Sequence, residues 1–354
     1  MTVDDIRREI DELDGAILEL LNRRAERAIA IGRLKEQTGA GVFDPARERQ
    51  VLDRLMALSK GPLPADSLAD VYGAIFAASR LLEKRLTVAY YGPAGSFTHI
   101  AARTKFGSAA ELQPCDAIAD VFVAVEKRDA DLGVVPIENT TAGVVPFTLD
   151  AFTESNLAIC AELYVDIEQY LLSRAPALEE VKRVYSHPNA IGQCRIWLRA
   201  NLPGAEVVPV GSTARAAELA AEEPTSAAIA PALAGELNNL PVLRAKIHDR
   251  PGNRTRFVVI GQTAAAPSGA DKTSLLFSVP HRAGALYSAL GVFDSHQTNM
   301  TFIQSHPTKQ TPWEYMFFVD VQGHERDPGL AQALQELRAH TLVLRVLGSY
   351  PEAV

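Results

Sequence analysis

The segment Gly252-Asn253-Arg254-Thr255-Arg256-Phe257 leads straight into an apolar run that ends at Ile260. A polar stretch that begins with glycine and continues into apolar residues is typical of a loop that enters a buried strand. Its hydroxyl, flanked by two guanidinium groups, could hold an anion and transfer a proton. A purely structural loop explains the same pattern, so the rest of the chain has to distinguish the two interpretations.

Composition limits the possible functions. With 354 residues the chain is long enough for two or three domains, each with its own core. Its 47% apolar and 22% charged residues are those of an ordinary globular protein. The formal net charge of -8 argues against a general affinity for nucleic acid or an anionic membrane, so we expect neither as a partner. An acidic ligand would need a local cluster of Arg and Lys.

The sequence lacks the usual metal, disulfide and nucleotide motifs. Cys115, Cys160 and Cys194 are far apart, with no C-x-x-C or H-E-x-x-H, so a disulfide framework or zinc site is not expected. Neither G-x-G-x-x-G nor a P-loop occurs. Because these motifs are absent, we expect no metal and no cofactor. Charged residues from Asp4 onward and the lack of a long apolar run predict a cytoplasmic protein.

Residues 1–86 have the apolar periodicity of three helices, the second of which starts at Asp44-Pro45. The faces that should be buried also carry polar side chains: Arg24, Lys35, Asp44, Arg47, Glu48, Ser79 and Glu83. An unpaired buried charge is costly. Internal ion pairs would satisfy these groups, but a cationic pocket for a small polyanion explains all three helices at once. The core of such a segment is thin, which favours dimerisation.

This segment resembles the all-helical chorismate mutase family. The resemblance rests on Arg7 in I-R-R-E-I-D-E-L-D, and on the stretches R-R-A-E-R-A-I-A-I-G-R-L-K, D-P-A-R-E-R and A-A-S-R-L-L-E. It implies an intertwined dimer in which Arg7 reaches the pocket of the partner chain. The implied reaction is the pericyclic conversion of chorismate to prephenate, which needs no nucleophile.

The same resemblance implies roles for the polar residues. The substrate contacts would be Arg7, Arg24, Asp44, Arg47, Glu48 and Ser79. Lys35 would donate a hydrogen bond to the ether oxygen as charge develops there. Glu83 stands where bacterial relatives often have Gln. Because a carboxylate cannot donate a hydrogen bond, Glu83 would have to be protonated to assist.

Residues 87–262 alternate strand-like and helical patterns, which predicts an open, largely parallel α/β sheet. The strand-like runs are 88–91, 132–137, 158–165, 207–210, 227–230 and 257–260. Ligands of such sheets bind beyond the carboxyl ends of the strands, where polar residues cluster in this chain. The clusters are 92–99, 133–143, 186–194 and the hexapeptide from Gly252. Each alone is compatible with helix caps or surface ion pairs, whereas four together favour a binding site.

These clusters resemble the motifs of prephenate dehydratase. They read G-P-x-G-S-F-T-H from Gly92, V-P-I-E-N-T from Val135, S-H-P-x-A-x-x-Q-C from Ser186 and N-x-T-R-F from Asn253. The resemblance implies two α/β subdomains with the active site in the cleft between them. There, prephenate would lose its carboxylate and ring hydroxyl to give phenylpyruvate, carbon dioxide and water. Since hydroxide is a poor leaving group, the site must supply a proton.

The resemblance gives the role of proton donor to Thr255, with Glu138 as a rival or as the ultimate source of the proton. Arg256 and the helix start at Ser96 are the candidates for holding the carboxylates. The other substrate contacts expected from the motifs are Thr98, Asn139, Thr140, Ser186, His187, Asn189, Gln193 and Phe257.

Residues 263–271 form a small-residue linker, after which the pattern predicts a βαββαβ unit. This unit resembles the ACT regulatory domain through Gly284-Ala285-Leu286 and the run N-M-T-F-I-Q-S-H-P from Asn299. The resemblance implies L-phenylalanine binding between ACT domains near these motifs. The family usually has E-S-R-P where this chain has Gln304-Ser305-His306-Pro307, which leaves the strength and identity of the response open. A purely structural dimerisation domain is the alternative.

Together these patterns predict a multidomain enzyme. It would have an all-α three-helix chorismate mutase domain (1–86), an α/β dehydratase domain of two subdomains (87–262) and an α+β ferredoxin-like ACT domain (272–354). We expect a homodimer or homotetramer that catalyses successive steps toward phenylalanine under feedback by L-phenylalanine. The alternatives are a dehydratase with a weak or lost mutase and a non-catalytic sensor of aromatic ligands.

Overall fold

The computed structural model describes residues 1–38, 41–107, 110–307 and 315–353. Their contacts divide into two compact units. The first comprises Met1–Leu86 with Phe106–Glu111, and the second comprises Thr87–Lys105 with Leu112–Val354. Within the described ranges, no helix has both the length and the apolarity needed to cross a membrane.

Three helices make up most of the first unit: α1 (Val3–Thr38), α2 (Pro45–Leu58) and α3 (Ala65–Glu83). Helix α2 begins where predicted, because the Asp44 side chain accepts the Arg47 backbone N–H at 3.0 Å. Helices α1 and α3 approach closely at Gly32, where a Cβ atom would lie 2.9 Å from the Cα of Glu83. Only glycine permits this approach without a shift of one helix.

Helix α1 leaves most of its apolar surface uncovered within the chain. Of its 36 residues, only Ala28 and Gly32 are buried. The exposed apolar side chains of its first half include Ile6, Ile10, Leu13, Ile17, Leu18, Leu20 and Leu21. A continuous apolar surface of this kind is typical of a protein–protein interaction site.

The part of the second unit up to residue 261 contains two β-sheets and the helices that connect their strands. The first has the order β2-β1-β3-β11-β5, with β4 paired to β3, and the second has the order β10-β6-β9-β7-β8. The strands are β1 (Thr87–Tyr91), β2 (Glu111–Cys115), β3 (Leu132–Asn139), β4 (Gly143–Val144), β5 (Ala158–Asp166), β6 (Tyr170–Ser173), β7 (Arg183–Ser186), β8 (Glu206–Pro209), β9 (Ser226–Ala230), β10 (Val242–Arg244) and β11 (Arg254–Gly261). The helices are α4 (Phe97–Phe106), α5 (Ile118–Glu126), α6 (Pro146–Glu154), α7 (Pro188–Gln193), α8 (Arg195–Asn201), α9 (Thr213–Glu222) and α10 (Ala232–Asn238).

The prediction of a largely parallel sheet was wrong. Strand β1 is parallel to β3, and β7 is parallel to β8 and β9, but β11 is antiparallel to both β3 and β5. Strand β6 is likewise antiparallel to β9 and β10. The chain leaves the first sheet after β5, builds the second and returns with β11. An alternation of strands and helices does not specify strand direction, so this return is not visible in the sequence pattern.

Most of the hexapeptide that starts at Gly252 is strand and not loop. Strand β11 already begins at Arg254 and is paired on both sides from Thr255 onward. Successive side chains of a strand point to opposite faces of the sheet. Arg254 and Arg256 therefore project to one face and Thr255 to the other, so the expected anion site with a hydroxyl between two guanidinium groups does not form.

The C-terminal part has the predicted βαββαβ order. Its elements are β12 (Asp271–Ser278), α11 (Ala285–Ser295), β13 (Met300–Pro307), β14 (Tyr315–Gln322), α12 (Pro328–Leu337), a 3₁₀ turn (Arg338–His340) and β15 (Val343–Pro351). The sheet order is β13-β14-β12-β15, and every neighbouring pair is antiparallel. The strand predicted for 314–322 is described from Tyr315 onward, and Glu314 lies outside the described residues.

This C-terminal sheet shares a hydrophobic core with the first sheet. Val258 of β11 and Ile159 of β5 belong to the same buried cluster as Leu276 and Phe318 of the C-terminal sheet. At Gly348 of β15, a Cβ atom would fall 2.1 Å from the carbonyl oxygen of Ile159. The two sheets are therefore packed without room for a side chain at this point.

Candidate active sites

The three helices of the first unit enclose a cavity of about 440 Å³. Its lining includes every polar residue that the sequence placed on a buried helix face: Arg24, Lys35, Asp44, Arg47, Glu48, Ser79 and Glu83. Arg27 and Arg80 also line the cavity and were not predicted. Arg27 follows Arg24 by three residues on the same helix face, a spacing that could have identified it. Five cationic side chains thus face three carboxylates, and this excess of positive charge suits a small dianion.

One pair of functional groups is held together across α1 and α3. The Lys35 Nζ lies 2.9 Å from Glu83 Oε2 and donates a second hydrogen bond to the Val42 carbonyl at 3.2 Å. The Glu83 side chain is 10% exposed and that of Lys35 is 23% exposed. The two side chains that the sequence singled out for chemistry therefore lie side by side in the cavity.

Internal pairs satisfy part of the remaining charge, as the alternative interpretation expected. Arg80 forms an ion pair with Glu48, and Arg24 donates a hydrogen bond to the Ser79 hydroxyl. Among the residues that the structure describes, no carboxylate pairs with the guanidinium groups of Arg24, Arg27 and Arg47. Cationic groups thus remain for a ligand, so the internal pairs and the cationic pocket coexist.

Arg7 is not among the residues that line this cavity. Its side chain is 73% exposed, and its guanidinium group lies 3.5 Å from the Asp4 carboxylate. The expectation that Arg7 acts in the pocket of a partner chain therefore stays a prediction.

In the second unit, the Asn139 side chain at the end of β3 is fixed by five hydrogen-bond contacts, one of them from Nδ2 to the Arg254 carbonyl oxygen at 3.1 Å. Its Oδ1 accepts the backbone N–H groups of Thr141 and Ala142 at 2.9 and 2.8 Å. Its Nδ2 donates to Thr255 Oγ1 and to Asn253 Oδ1, both at 2.8 Å. Because the oxygen is identified by its two backbone donors, the orientation of the amide is unambiguous.

The orientation of this amide decides what Thr255 can do. Since Thr255 Oγ1 accepts a hydrogen bond from Asn139, the proton of its own hydroxyl remains available for another acceptor. Thr140, the residue after Asn139, connects the end of β3 to β11, because its Oγ1 accepts the Arg254 N–H at 3.0 Å. Thr255 is therefore buried, with 8% of the residue exposed. Its hydroxyl oxygen accepts a hydrogen bond from Asn139, and its hydroxyl proton can be donated to another group.

Glu138 does not share a sheet face with Thr255. In the pairing of β3 with β11, Thr255 is opposite Asn139 and Arg256 is opposite Glu138. Directly opposite residues of an antiparallel pair lie on the same face, and successive residues lie on opposite faces. Glu138 therefore shares its face with Arg256, and the register does not support a direct proton relay from Glu138 to Thr255.

The prediction that Arg256 holds a substrate carboxylate is wrong. Its side chain is 4% exposed, and its Nε donates to Glu162 Oε2 at 2.7 Å. Its other nitrogens donate to Asp320 and, at 2.8 Å, to the Tyr350 hydroxyl, both in the C-terminal sheet. Burial alone would lower the pKa of Arg256, but Tyr350, Asp320 and Glu162 outweigh it and raise that pKa well above its ordinary value.

Three other predicted contact residues lie in packed interior. The Ser186 hydroxyl is fully buried and donates to the Ile229 carbonyl at 2.6 Å. Its proton is thus used within the second sheet, and the expectation that Ser186 orients the substrate ring stays a prediction. Thr98 is 5% exposed and Phe257 is 1% exposed. Phe257 packs as part of the strand that carries Thr255.

Local hydrogen bonds fix the segments before α4 and α7. Ser96 Oγ accepts the His99 backbone N–H at 3.2 Å, and the Gly95 N–H donates to His99 Nδ1 at 3.0 Å. Burial, with a smaller effect from Arg103, lowers the pKa of His99 and so favours the neutral ring that can accept this bond. At the start of α7, His187 Nδ1 accepts a backbone N–H in the same manner. Ser96 and His187 thus have the capping roles that were their alternative interpretation.

A second cavity of about 470 Å³ contains two of the predicted residues, Asn189 and Gln193. Other lining residues are Arg195, His248 and Arg250, which lie outside the motifs. Thr141 and Asn253 also line the cavity; they belong to the polar clusters of the sequence but were not predicted as contacts. The polar triplet His248-Asp249-Arg250 directly before the hexapeptide is the signal that could have identified part of this set.

The segment Gln304-Ser305-His306-Pro307 of β13 is directed in part toward helix α6. His306 is 7% exposed, and its Nε2 lies 2.7 Å from Asp150 Oδ1 on α6. Gln304 Nε2 donates to the carbonyl of Ser305 at 2.8 Å, and Pro307 is exposed at the end of the strand. His306, which stands in place of the usual arginine, therefore joins the C-terminal sheet to α6.

The other motif that was predicted to be regulatory, Gly284-Ala285-Leu286, starts helix α11. Gly284 has a φ angle of 78°, in the left-handed region that favours glycine. Ala285 is buried, and Leu286 packs against the core between α11, α12 and the C-terminal sheet. Both apolar residues thus anchor the helix.

Comparison with known families divides the chain into three regions. The Chorismate mutase type II model matches residues 6–84, the Prephenate dehydratase model matches residues 88–265 and the ACT domain model matches residues 273–339. These regions define a multidomain enzyme with a regulatory module, which confirms the predicted fold class.

Relatives match the chain over its whole length. A bifunctional chorismate mutase/prephenate dehydratase from Aquifex aeolicus (strain VF5) is 45% identical over 354 residues, covering 99% of this chain and 98% of that protein. The chain therefore belongs to the bifunctional chorismate mutase/prephenate dehydratase family.

Two solved structures match most of the chain. A prephenate dehydratase from Arthrobacter aurescens in complex with L-Phe has a TM-score of 0.70 at 36% identity, covering 75% of this chain and 90% of that one. A structure described as GqqA, a novel type of quorum quenching acylase, has a TM-score of 0.69 at 34% identity, covering 75% and 97%.

The buried ion network predicts a large stability effect. We expect Arg256→Met to lower the free energy of unfolding by about 3–5 kcal/mol, because Asp320 would be left as a buried charge without its ion-pair partner and Glu162 would keep only Lys272. Arg254→Met, on the same strand and face but exposed, should cost less than about 1 kcal/mol. Urea unfolding followed by circular dichroism measures both. Equal shifts of the midpoint would contradict the assigned role of the network.

Proposed function

We propose that the chain converts chorismate to prephenate in the cavity of the first unit, and prephenate to phenylpyruvate, carbon dioxide and water in the second unit. The excess of cationic side chains over carboxylates in the three-helix cavity carries the mutase proposal. The free hydroxyl proton of Thr255 carries the dehydratase proposal. Family membership places the two activities on one chain.

Giving the purified chain chorismate alone tests both reactions. We expect prephenate to appear first and phenylpyruvate to follow, with L-phenylalanine reducing the second product. Accumulation of prephenate without phenylpyruvate would contradict the proposed dehydratase activity. Unchanged chorismate would contradict the proposed mutase activity.

The mutase needs to hold a dianion in a compact conformation and to stabilise the negative charge that develops on the breaking ether oxygen. Arg24 and Arg47 would bind the carboxylates, and Glu48 would accept the ring hydroxyl. Lys35 and Glu83, 2.9 Å apart, can approach the ether oxygen together. Glu83 donates to that oxygen only when it carries a proton, whereas Lys35 donates while charged.

Substitution of Glu83 tests whether a hydrogen-bond donor at this position assists the mutase. A carboxylate cannot donate, whereas Glu83→Gln carries an amide donor of nearly the same size, so we expect the variant to keep or raise the mutase kcat. Glu83→Ala has no donor and should lower that kcat by at least about 10-fold. The dehydratase activity of the same protein, measured with prephenate, is the internal control. Equal losses in the two variants would contradict a donor role at this position.

The dehydratase must protonate the departing hydroxyl while the electrons of the bond to the carboxylate move into the ring, which becomes aromatic. We assign the proton to Thr255, with Asn139 holding its oxygen from the other side at 2.8 Å. The strand register supports direct donation by Thr255, since Glu138 lies on the opposite face. The Arg256 side chain is occupied by carboxylates of the chain itself and takes no part.

Substitution of Thr255 separates a hydroxyl role from a packing role. Thr255→Val has nearly the same shape without the proton and should lower the dehydratase kcat by roughly 10²–10⁴-fold. Thr255→Ser keeps the hydroxyl and should retain most of the rate. Mutase activity should stay unchanged in both variants. Equal losses in Ser and Val would exclude the hydroxyl as the donor.

We infer that L-phenylalanine acts through the C-terminal domain, because that domain resembles the ACT module and packs directly on the sheet that carries Thr255. The altered motif leaves His306 bound to Asp150 of α6. A change in the position of β13 would therefore be transmitted to a helix that belongs to the dehydratase core.

We also infer a homodimer or homotetramer, because the exposed apolar side chains of α1 need a partner and Arg7 lies outside the cavity of its own chain. Arg7→Ala and Lys35→Ala should each lose mutase activity when expressed alone. In a co-expressed mixture, one pocket of each mixed dimer has both residues, so about a quarter of wild-type activity should return. No recovery in isolated mixed dimers would place Arg7 outside the partner's pocket.

A further inference from the structure

The three buried side-chain polar atoms that lack a hydrogen-bond partner within the described chain are close to one cavity. They are Gln169 Oε1, His248 Nδ1 and Asn253 Nδ2. His248 and Asn253 line the second cavity, and Gln169 donates to the Gln193 side chain, which also lines it. Buried polar atoms are almost always paired in proteins, so such a concentration indicates a place where a ligand completes the hydrogen bonds.

The orientation of the Asn253 amide follows from its neighbour. Its Oδ1 accepts from Asn139 Nδ2, whose identity is fixed by the two backbone donors on the other side of that amide. The Asn253 Nδ2 group is therefore directed away from Asn139 as an unused donor. The same Asn139 Nδ2 donates to Thr255, so the unused donor and the proposed proton donor are joined through one side chain.

The cavity also carries positive charge that the protein leaves unpaired. Arg195 and Arg250 are exposed and line the cavity, and neither forms an ion pair with any carboxylate in the part of the chain that the structure describes. Asp249, which lies between His248 and Arg250, is already engaged. Its two oxygens accept backbone N–H groups at the start of α8, both at 2.9 Å.

We propose that this cavity binds prephenate, with Arg195 and Arg250 pairing with its carboxylates and Asn253 Nδ2 donating to the substrate beside Thr255. This proposal rests on the dehydratase function proposed above. The hydroxyl of prephenate and the carbon that bears its acidic groups lie at opposite ends of the ring. The groups that bind the carboxylates must therefore lie about the length of the ring from the Thr255 hydroxyl. Arg195 on α8 and Arg250 before β11 are cations outside the strand that carries Thr255. The volume of about 470 Å³ accommodates a molecule of this size.

The test measures KM and kcat for prephenate in the double variant Arg195→Gln/Arg250→Gln. We expect KM to rise at least about 10-fold, because charged hydrogen bonds to the substrate are lost. The value of kcat should change less than about 3-fold, because Thr255 and Asn139 are untouched. Mutase activity of the same protein monitors folding. Arg199→Gln is the matched control, since Arg199 is exposed on α8 and does not line the cavity.

Asn253→Asp tests the unused donor separately. The substitution keeps an oxygen for Asn139 and replaces the amide donor with a negative charge that repels the substrate. We expect an increase in KM that becomes smaller as salt is added, because salt screens the repulsion. An unchanged KM for both Asn253→Asp and the double variant would overturn the proposal.

Equilibrium binding distinguishes failure of this site from failure of the dehydratase function. In a Thr255→Val background, where turnover is suppressed, prephenate should bind at least about 10-fold more weakly when Arg195 and Arg250 are both replaced. Equal affinities would overturn the proposed site even if the wild type is an active dehydratase. Absence of phenylpyruvate from the wild type would instead count against the dehydratase function.

Discussion

The buried pair of Arg256 and Glu162 is the interaction that constrains the second unit most strongly. Glu162 accepts from both Arg256 and Lys272, and Arg256 also pairs with Asp320, so charges from the first sheet and the C-terminal sheet meet in the interior. Removing charges from water is costly, and only correct placement of all partners offsets that cost. The network therefore specifies how the two sheets align, while the shared apolar core contributes most of their attraction.

The same strand carries the proposed proton donor on one face and the residues of the packing between the two sheets on the other. Thr255 projects toward Asn139, and the next residue, Arg256, projects into the ion network. A one-residue slip of β11 would exchange the two faces, burying a hydroxyl among carboxylates and directing a guanidinium group toward Asn139. The charged network thus fixes the register of β11. The position of the proposed proton donor, Thr255, depends on that register.

The first unit uses polar groups in a different way. Its cavity is built from side chains of three helices, and the contact of α1 with α3 depends on the missing side chain of Gly32. The Lys35–Glu83 pair spans those two helices beside that contact. Most of α1 takes no part in the cavity and exposes leucine and isoleucine side chains, which is the observation behind the proposed contact with a second chain.

The sequence determined the domain composition, the position of α2, the βαββαβ order and seven of the residues around the three-helix cavity, because caps, periodicity and motifs are local signals. It also gave Thr255 and Asn139 as candidate site residues, but not the hydrogen bond that the Asn139 amide donates to the Thr255 hydroxyl. The tertiary structure decided the direction of β11, the faces of Glu138 and Arg256, and the cavity that gathers Arg195, His248, Arg250 and Asn253. These features depend on which distant strands pair and in which register, and a local pattern of polar and apolar residues contains no record of either.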